Sequence, residues 1–142
     1  MNAVNGAVVE EHLPIRGDDD IVQARMRARE VARRMGFGMV DQSRIATAVS
    51  ELTRNVVRYA TNGRGEMRIG PVTSATSGAG LEIVVSDEGP GIADLEQAMR
   101  SGYTSGAGMG LGLPGTKRLM DEMEIESAAD RGTTVTIRKW RR

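Results

Sequence analysis

Five glycines fall within ten residues at Gly106-Ala107-Gly108-Met109-Gly110-Leu111-Gly112-Leu113-Pro114-Gly115. Ordering such a run costs considerable folding entropy, so it is either a mobile loop or a stretch whose bare backbone is used. Pro114 suits the first turn of a helix. A glycine-rich backbone entering a helix presents N–H groups and the positive end of the helix dipole, which is a natural phosphate cradle. Two familiar phosphate loops fail here on context. Gly110-x-Gly112-x-x-Gly115 fits G-x-G-x-x-G, but the polar stretch 101–108 precedes it instead of a strand, and no βαβ unit is present. A Walker A loop needs Gly-Lys-Ser/Thr, whereas the order here is Gly115-Thr116-Lys117.

Composition narrows the function classes. Lys+Arg and Asp+Glu are both 19, a formal net charge of zero, which argues against a generic polyanion binder. Aromatics are only 3% of the chain, too few for the stacking platforms of single-strand nucleic-acid binding, so the core must come from Val, Ile, Leu, Met and Ala. With no Cys there is no disulfide framework, thiolate zinc site or thiol nucleophile, and a single His removes His-cluster metal sites and the Ser-His-Asp triad. No apolar run is long enough to span a bilayer, and the N-terminus lacks a basic region followed by an apolar one. The 142 residues are therefore expected to form one soluble, cytoplasmic domain, 1–142, with no nucleic-acid or membrane partner.

The periodicity predicts an order of elements. Residues 8–15 read as a strand ended by Pro14 and Gly17. Asp18-Asp19-Asp20 offers N-caps for a helix to about Met35, stopped by Gly36-Phe37-Gly38. Asp41 caps a second helix, whose Ile45, Val49, Leu52 and Val56 fall on one stripe and which ends near Tyr59-Ala60. Met67 and Ile69, then Leu81, Ile83 and Val85, mark two strands around a flexible turn at 73–80. Helices are expected at 94–99 and at 113–123, a short strand at 125–127, and a last strand at 133–140. Two helices before a mixed, mostly antiparallel sheet indicate an α+β fold, a two-layer α/β sandwich.

Four constellations carry chemistry. In Ser50-Glu51-Leu52-Thr53-Arg54-Asn55, Glu51 and Asn55 are one helical turn apart on a face that also carries the small Ala48. A carboxylate there can accept a hydroxyl proton and an amide oxygen can ligate Mg²⁺, although any solvated helix can carry such a pair. In Asp87-Glu88-Gly89-Pro90-Gly91, an acid at a strand end is followed by glycines that let a ligand approach the backbone; an ordinary turn has the same letters. The glycine run is the third, and Gly132-Thr133-Thr134, opening the last strand, is the fourth. His12 reads as structural or exposed, the Met residues as core filler. Arg138-Lys139-Trp140-Arg141-Arg142 reads as a solvated basic end, with docking through Trp140 as the alternative.

Taken in order, the four pieces resemble the GHKL (Bergerat-fold) ATP-binding superfamily across nearly the whole chain. Glu51 and Asn55 resemble its N box, Asp87-x-Gly89-x-Gly91 its G1 box, Gly108-Met109-Gly110-Leu111-Gly112-Leu113 its G2 box, and Gly132-Thr133 its final G-T element. Within it, the stretch Leu113-Pro114-Gly115-Thr116-Lys117-Arg118-Leu119-Met120-Asp121-Glu122 and the ending Arg138-Lys139-Trp140 are similar to RsbT-type serine/threonine switch kinases of bacterial partner-switching (stressosome) systems.

The resemblance implies ATP and Mg²⁺ as cofactors, a STAS-domain protein as substrate, and a PP2C-type phosphatase or other downstream regulator as a second partner, with the stressosome as the complex. It implies Glu51 as general base, Asn55 as the Mg²⁺ ligand, Asp87 as the reader of the adenine amino group and Thr133 as its support through water. Gly89 and Gly91 would admit the base. A lid over 103–112 would place Gly108, Gly110, Leu111 and Gly112 at the phosphates. One departure stands out: some related anti-sigma kinases carry an arginine just before the lid glycines, where this chain has Ser105-Gly106-Ala107. The alternatives are an anti-sigma factor that sequesters a sigma subunit and phosphorylates its STAS antagonist, and a bare ATPase or scaffold.

Overall fold

The computed structural model describes residues 9–60, 64–89, 99, 112–127 and 131–142. Strand β1 (Glu11–Ile15) leads into helices α1 (Asp18–Arg34) and α2 (Met39–Tyr59). Strands β2 (Gly65–Ser74) and β3 (Gly78–Asp87) form a hairpin, and helix α3 (Leu113–Leu119) precedes β4 (Glu122–Ser127) and β5 (Thr133–Trp140). The five strands lie in the order β1-β2-β3-β5-β4, and every pairing is antiparallel. The helices cover one sheet face, giving the two-layer α+β sandwich that the helix-then-strand pattern predicts.

Local chemistry explains the helix bounds. The N-cap of α1 is Gly17, and Asp20 reaches back to accept the Arg16 N–H at 2.8 Å while all three aspartates sit in the first turn. At its other end the Gly36 N–H donates to Arg33 O and the Phe37 N–H to Ala32 O, a Schellman ending that buries Phe37 beside the helix. Helix α2 starts at Met39, ahead of the expected cap; Asp41 lies in its first turn and pairs with Arg44 at 3.0 Å. Its stripe of Ile45, Val49, Leu52 and Val56 meets Met67, Ile69, Ile83, Val85 and Ile137 from the sheet in one core. Alternation sends the intervening residues, including Glu66, Ser86 and Thr134, to the other face.

Two expectations are corrected. The helix expected over 113–123 stops at Leu119, and the strand expected over 125–127 already begins at Glu122. Arg138 is the cause: from the neighbouring strand it binds Glu82 at 2.7 Å, Glu122 at 3.0 Å and also Glu124, and this pulls Glu122–Ser127 into the sheet. The basic tail is a solvated end only at Arg141 and Arg142, which are exposed. Lys139 is buried, donating to Leu119 O at 2.9 Å with Asp41 and Asp121 at 3.6 and 3.8 Å. Trp140 is 7% exposed, its ring lying against Gly80 and its Nε1 donating to Glu122 at 2.9 Å. That packing leaves no free indole for docking. The expected helix at 94–99 lies outside the described residues except for Met99. No helix among the described residues is long and apolar enough to cross a membrane.

Candidate active site

Glu51 and Asn55 sit on α2 one turn apart, both partly exposed. The small Ala48 is fully buried in the core. Thr53 and Ser50 turn their hydroxyls back onto Val49 O and Ala46 O, which satisfies them within the helix, while Glu51, Arg54 and Asn55 are partly exposed.

Glu51 meets the end of the glycine run. Gly112 is left-handed (φ 67°) and caps α3, its carbonyl accepting the Thr116 N–H at 2.9 Å and the Thr116 hydroxyl at 2.8 Å. A Cβ on Gly112 would lie 2.7 Å from Glu51 Oε2. Only a glycine permits both that backbone angle and that approach. Glu51 Oε1 lies 3.5 Å from the Arg54 guanidinium.

The second half of the site lies at the end of β3. Asp87 pairs in register with Thr133 and Gly65 and points to the helix side, as Val85 does. Its carboxylate accepts the Gly89 N–H at 2.8 Å, and the Thr133 backbone also donates to it. Burial pushes the Asp87 carboxyl above its ordinary value, and these two N–H donors oppose that shift. Gly132 (φ 78°) admits the close turn here, since a Cβ on it would lie 2.0 Å from Asp87 O. The Thr133 hydroxyl is 2.8 Å from Ser127 Oγ, so its position is fixed from β4. Ser127, which the sequence marked only as part of a strand, is thus a support of the site.

The two halves are joined through α2. The point where a Cβ on Gly65 would sit is 2.8 Å from Val56 Cγ1 and 3.3 Å from Asp87 Cβ. Val56, next to Asn55, therefore abuts the Asp87 end, while Glu51 abuts Gly112 about 7 Å away along the helix axis, at about 1.5 Å rise per residue. Of the expected site residues, the structure places Glu51, Asn55, Asp87, Gly89, Gly112 and Thr133 around this helix and strand end. Gly91, Gly108, Gly110 and Leu111 lie outside the described residues. A cleft of about 700 Å³ at the same end of the sheet is lined by Arg64, Gly65, Glu66, Ser86, Asp87, Glu88 and Thr134, so it reaches the Asp87 end of the site.

Residues 17–139 match the histidine kinase-like ATPase domain family. The chain belongs to that family. It is 48% identical over 123 residues to the serine/threonine-protein kinase RsbT of Bacillus subtilis (strain 168), covering 87% of this chain and 90% of the relative. It is 39% identical over 103 residues to an anti-sigma F factor of Thermoanaerobacter sp. (strain X514), covering 68% of each. A crystal structure of the RsbU and RsbW domains of a Mycobacterium tuberculosis protein superposes with a TM-score of 0.56 at 20% identity, over 92% of this chain. The present chain spans only 32% of that longer one, and the likeness speaks to the fold. The chain is a protein kinase of the serine/threonine class, of the partner-switching type, with a nucleotide-binding domain.

The residues present fit a magnesium nucleotide. A half-buried carboxylate oriented by two N–H groups is a fixed acceptor for an amino group, and an amide one turn from an acid supplies a hard oxygen ligand. The backbone at Gly112 has no side chain between it and the acid.

Proposed function

We propose that this chain transfers the γ-phosphoryl group of ATP to a Ser or Thr hydroxyl of a STAS-domain partner, as the switch kinase of a cytoplasmic bacterial stress-response module. Once released, it docks on and activates a downstream regulator such as a PP2C-type phosphatase. ATP with Mg²⁺ supplies the phosphoryl group and the cation that bridges its phosphates. Glu51 accepts the proton of the acceptor hydroxyl, and Asn55 offers its amide oxygen to the metal. Asp87 accepts a hydrogen bond from the adenine amino group, with Thr133 holding a water beside it. Gly89 and Gly112 let the nucleotide approach the backbone.

The observation that carries this reading is the Glu51 carboxylate at van der Waals range of Gly112, an acid set against the end of a glycine run. A scaffold that only senses nucleotide has no use for a proton acceptor there. The long match to a switch kinase supports the STAS substrate over sigma sequestration. Transfer of labelled γ-phosphate from ATP-Mg²⁺ onto candidate STAS domains is the test. Glu51→Ala should lower the rate by about 10²–10⁴-fold, the usual worth of a positioned acid or base. Transfer unchanged in that variant refutes the assigned base. Capture of a sigma factor in place of a STAS protein selects the anti-sigma alternative.

A further inference from the structure

Phosphoryl transfer spreads negative charge over the γ-oxygens, and Glu51 adds a carboxylate beside it, so a cationic side chain there would join the metal in balancing that charge. Among the described residues, the cation at Glu51 is Arg54.

Three features of that pair matter. First, Arg54 precedes Asn55 and follows Glu51 by three residues, so its head lies alongside the acid on the same helix. Second, the contact is loose. At 3.5 Å, to one oxygen, it contrasts with the close pairs Arg33–Glu30 at 2.7 Å and Arg138–Glu82 at 2.7 Å in the same molecule. Both side chains are about a third exposed (34% and 38%), so water can take either partner and the pair is cheap to break. Third, the other oxygen of Glu51 faces Gly112, so one carboxylate meets the guanidinium through Oε1 and the end of the glycine run through Oε2.

We propose that Arg54 is a γ-phosphate-responsive residue of this site: it rests on Glu51 when the γ-position is empty and moves to the γ-phosphoryl oxygens when it is filled, freeing Glu51 as the proton acceptor. The inference deepens the phosphotransferase reading and rests on it. In the transfer step the acceptor oxygen bonds to phosphorus and the bond from phosphorus to the β,γ-bridging oxygen breaks. ADP leaves with that electron pair, the hydroxyl proton goes to Glu51, and Arg54 stays paired with the transferred oxygens. A planar guanidinium suits this task because it can present two N–H groups to two phosphate oxygens.

The device predicts nucleotide affinities apart from catalysis. Equilibrium binding of ADP-Mg²⁺ and of the non-hydrolysable analogue AMP-PNP-Mg²⁺ is measured for the wild type, Arg54→Ala, Arg54→Lys, Glu51→Gln and the double variant. Arg54→Ala should cut the preference for AMP-PNP over ADP by about tenfold while ADP affinity stays within about threefold, as for loss of one charge-assisted contact. Arg54→Lys should recover part of the preference. Glu51→Gln should tighten AMP-PNP binding, because the resting partner of Arg54 is weakened, and should do so only when Arg54 is present. A preference unchanged in Arg54→Ala, or an equal loss for both nucleotides, overturns the proposal, as does a Glu51→Gln effect that persists without Arg54. Because these are binding ratios, they stand whether or not a STAS protein is the acceptor. Absence of transfer to STAS domains with an intact Arg54-dependent ratio sinks only the substrate. A wild type that binds neither nucleotide sinks both.

Discussion

At one end of the β3–β5 pair Asp87 lies opposite Thr133; at the other Gly80 lies opposite Trp140. The Trp140 end is crowded with partners. Lys139 is shared by Leu119 O, Asp41 and Asp121; Asp121 also takes the Trp140 N–H at 2.7 Å, and the Arg141 N–H donates to Ala79 O at 2.9 Å. The Asp87 end has short side chains, two left-hand-permitting glycines nearby, and a carboxylate whose burial works against its charge. The same strand is thus fastened by long-range contacts at one end and carries the polar groups of the candidate site at the other. Stability concentrated away from a site is what lets the site keep groups that destabilise the empty protein.

That contrast can be broken from either end. The largest effect is expected from Gly132→Ala, which combines a left-handed backbone angle with a Cβ 2.0 Å from Asp87 O. Thermal unfolding should show a loss of about 3 kcal/mol, with nucleotide affinity falling as Asp87 is displaced. Lys139→Met keeps the packing but takes the side-chain donor from Leu119 O and one cation from Asp41 and Asp121, which keep Arg44 and the Trp140 N–H; denaturant titration should read about 1 kcal/mol of destabilisation with nucleotide affinity unchanged. Gly112→Ala should cost only about 1 kcal/mol in stability, yet push the Glu51 carboxylate aside and lower the transfer rate by more than its stability loss implies.

The smallest effect sharpens the comparison through pH. The folded-state value of Asp87 lies above its ordinary 3.8, so its contribution to stability is fully present below that value and is lost as pH rises through the folded value. Asp87→Asn should therefore be no less stable than the wild type at neutral pH, and its stability advantage should shrink on acidification, while its affinity for ATP falls. Paired unfolding curves across pH 3–7, on the order of one pH unit apart, check both signs.

The sequence showed those parts of the fold that depend on near neighbours. The stripe of Ile45, Val49, Leu52 and Val56 and the alternation of Leu81, Ile83 and Val85 announced α2 and β3, and both are buried as expected. The end of α3 was illegible because its helical letters were overruled by Arg138, a residue from another strand that gathers Glu122 and Glu124. The burial of Lys139 and Trp140 within the tail was hidden for the same reason: a run of cations looks solvated until its partners, Asp121 and Leu119 O among them, are brought in by the sheet. In the site, Glu51, Asn55, Asp87 and Thr133 stood out by motif. Arg54 did not, because an acid and a base three apart on a helix are commonplace. Its interest comes from Gly112, which the fold delivers to the other oxygen of the same carboxylate.

Trp140 is the one tryptophan in the chain, sealed against Gly80 and bonded to Glu122. Seven steps of extended strand separate it from Thr133, roughly 23 Å at about 3.3 Å each. Intrinsic fluorescence is consequently a clean gauge of denaturation at the fastened edge and a poor gauge of occupancy at the other. Nucleotide titrations call for calorimetry or a fluorophore carried by the nucleotide itself.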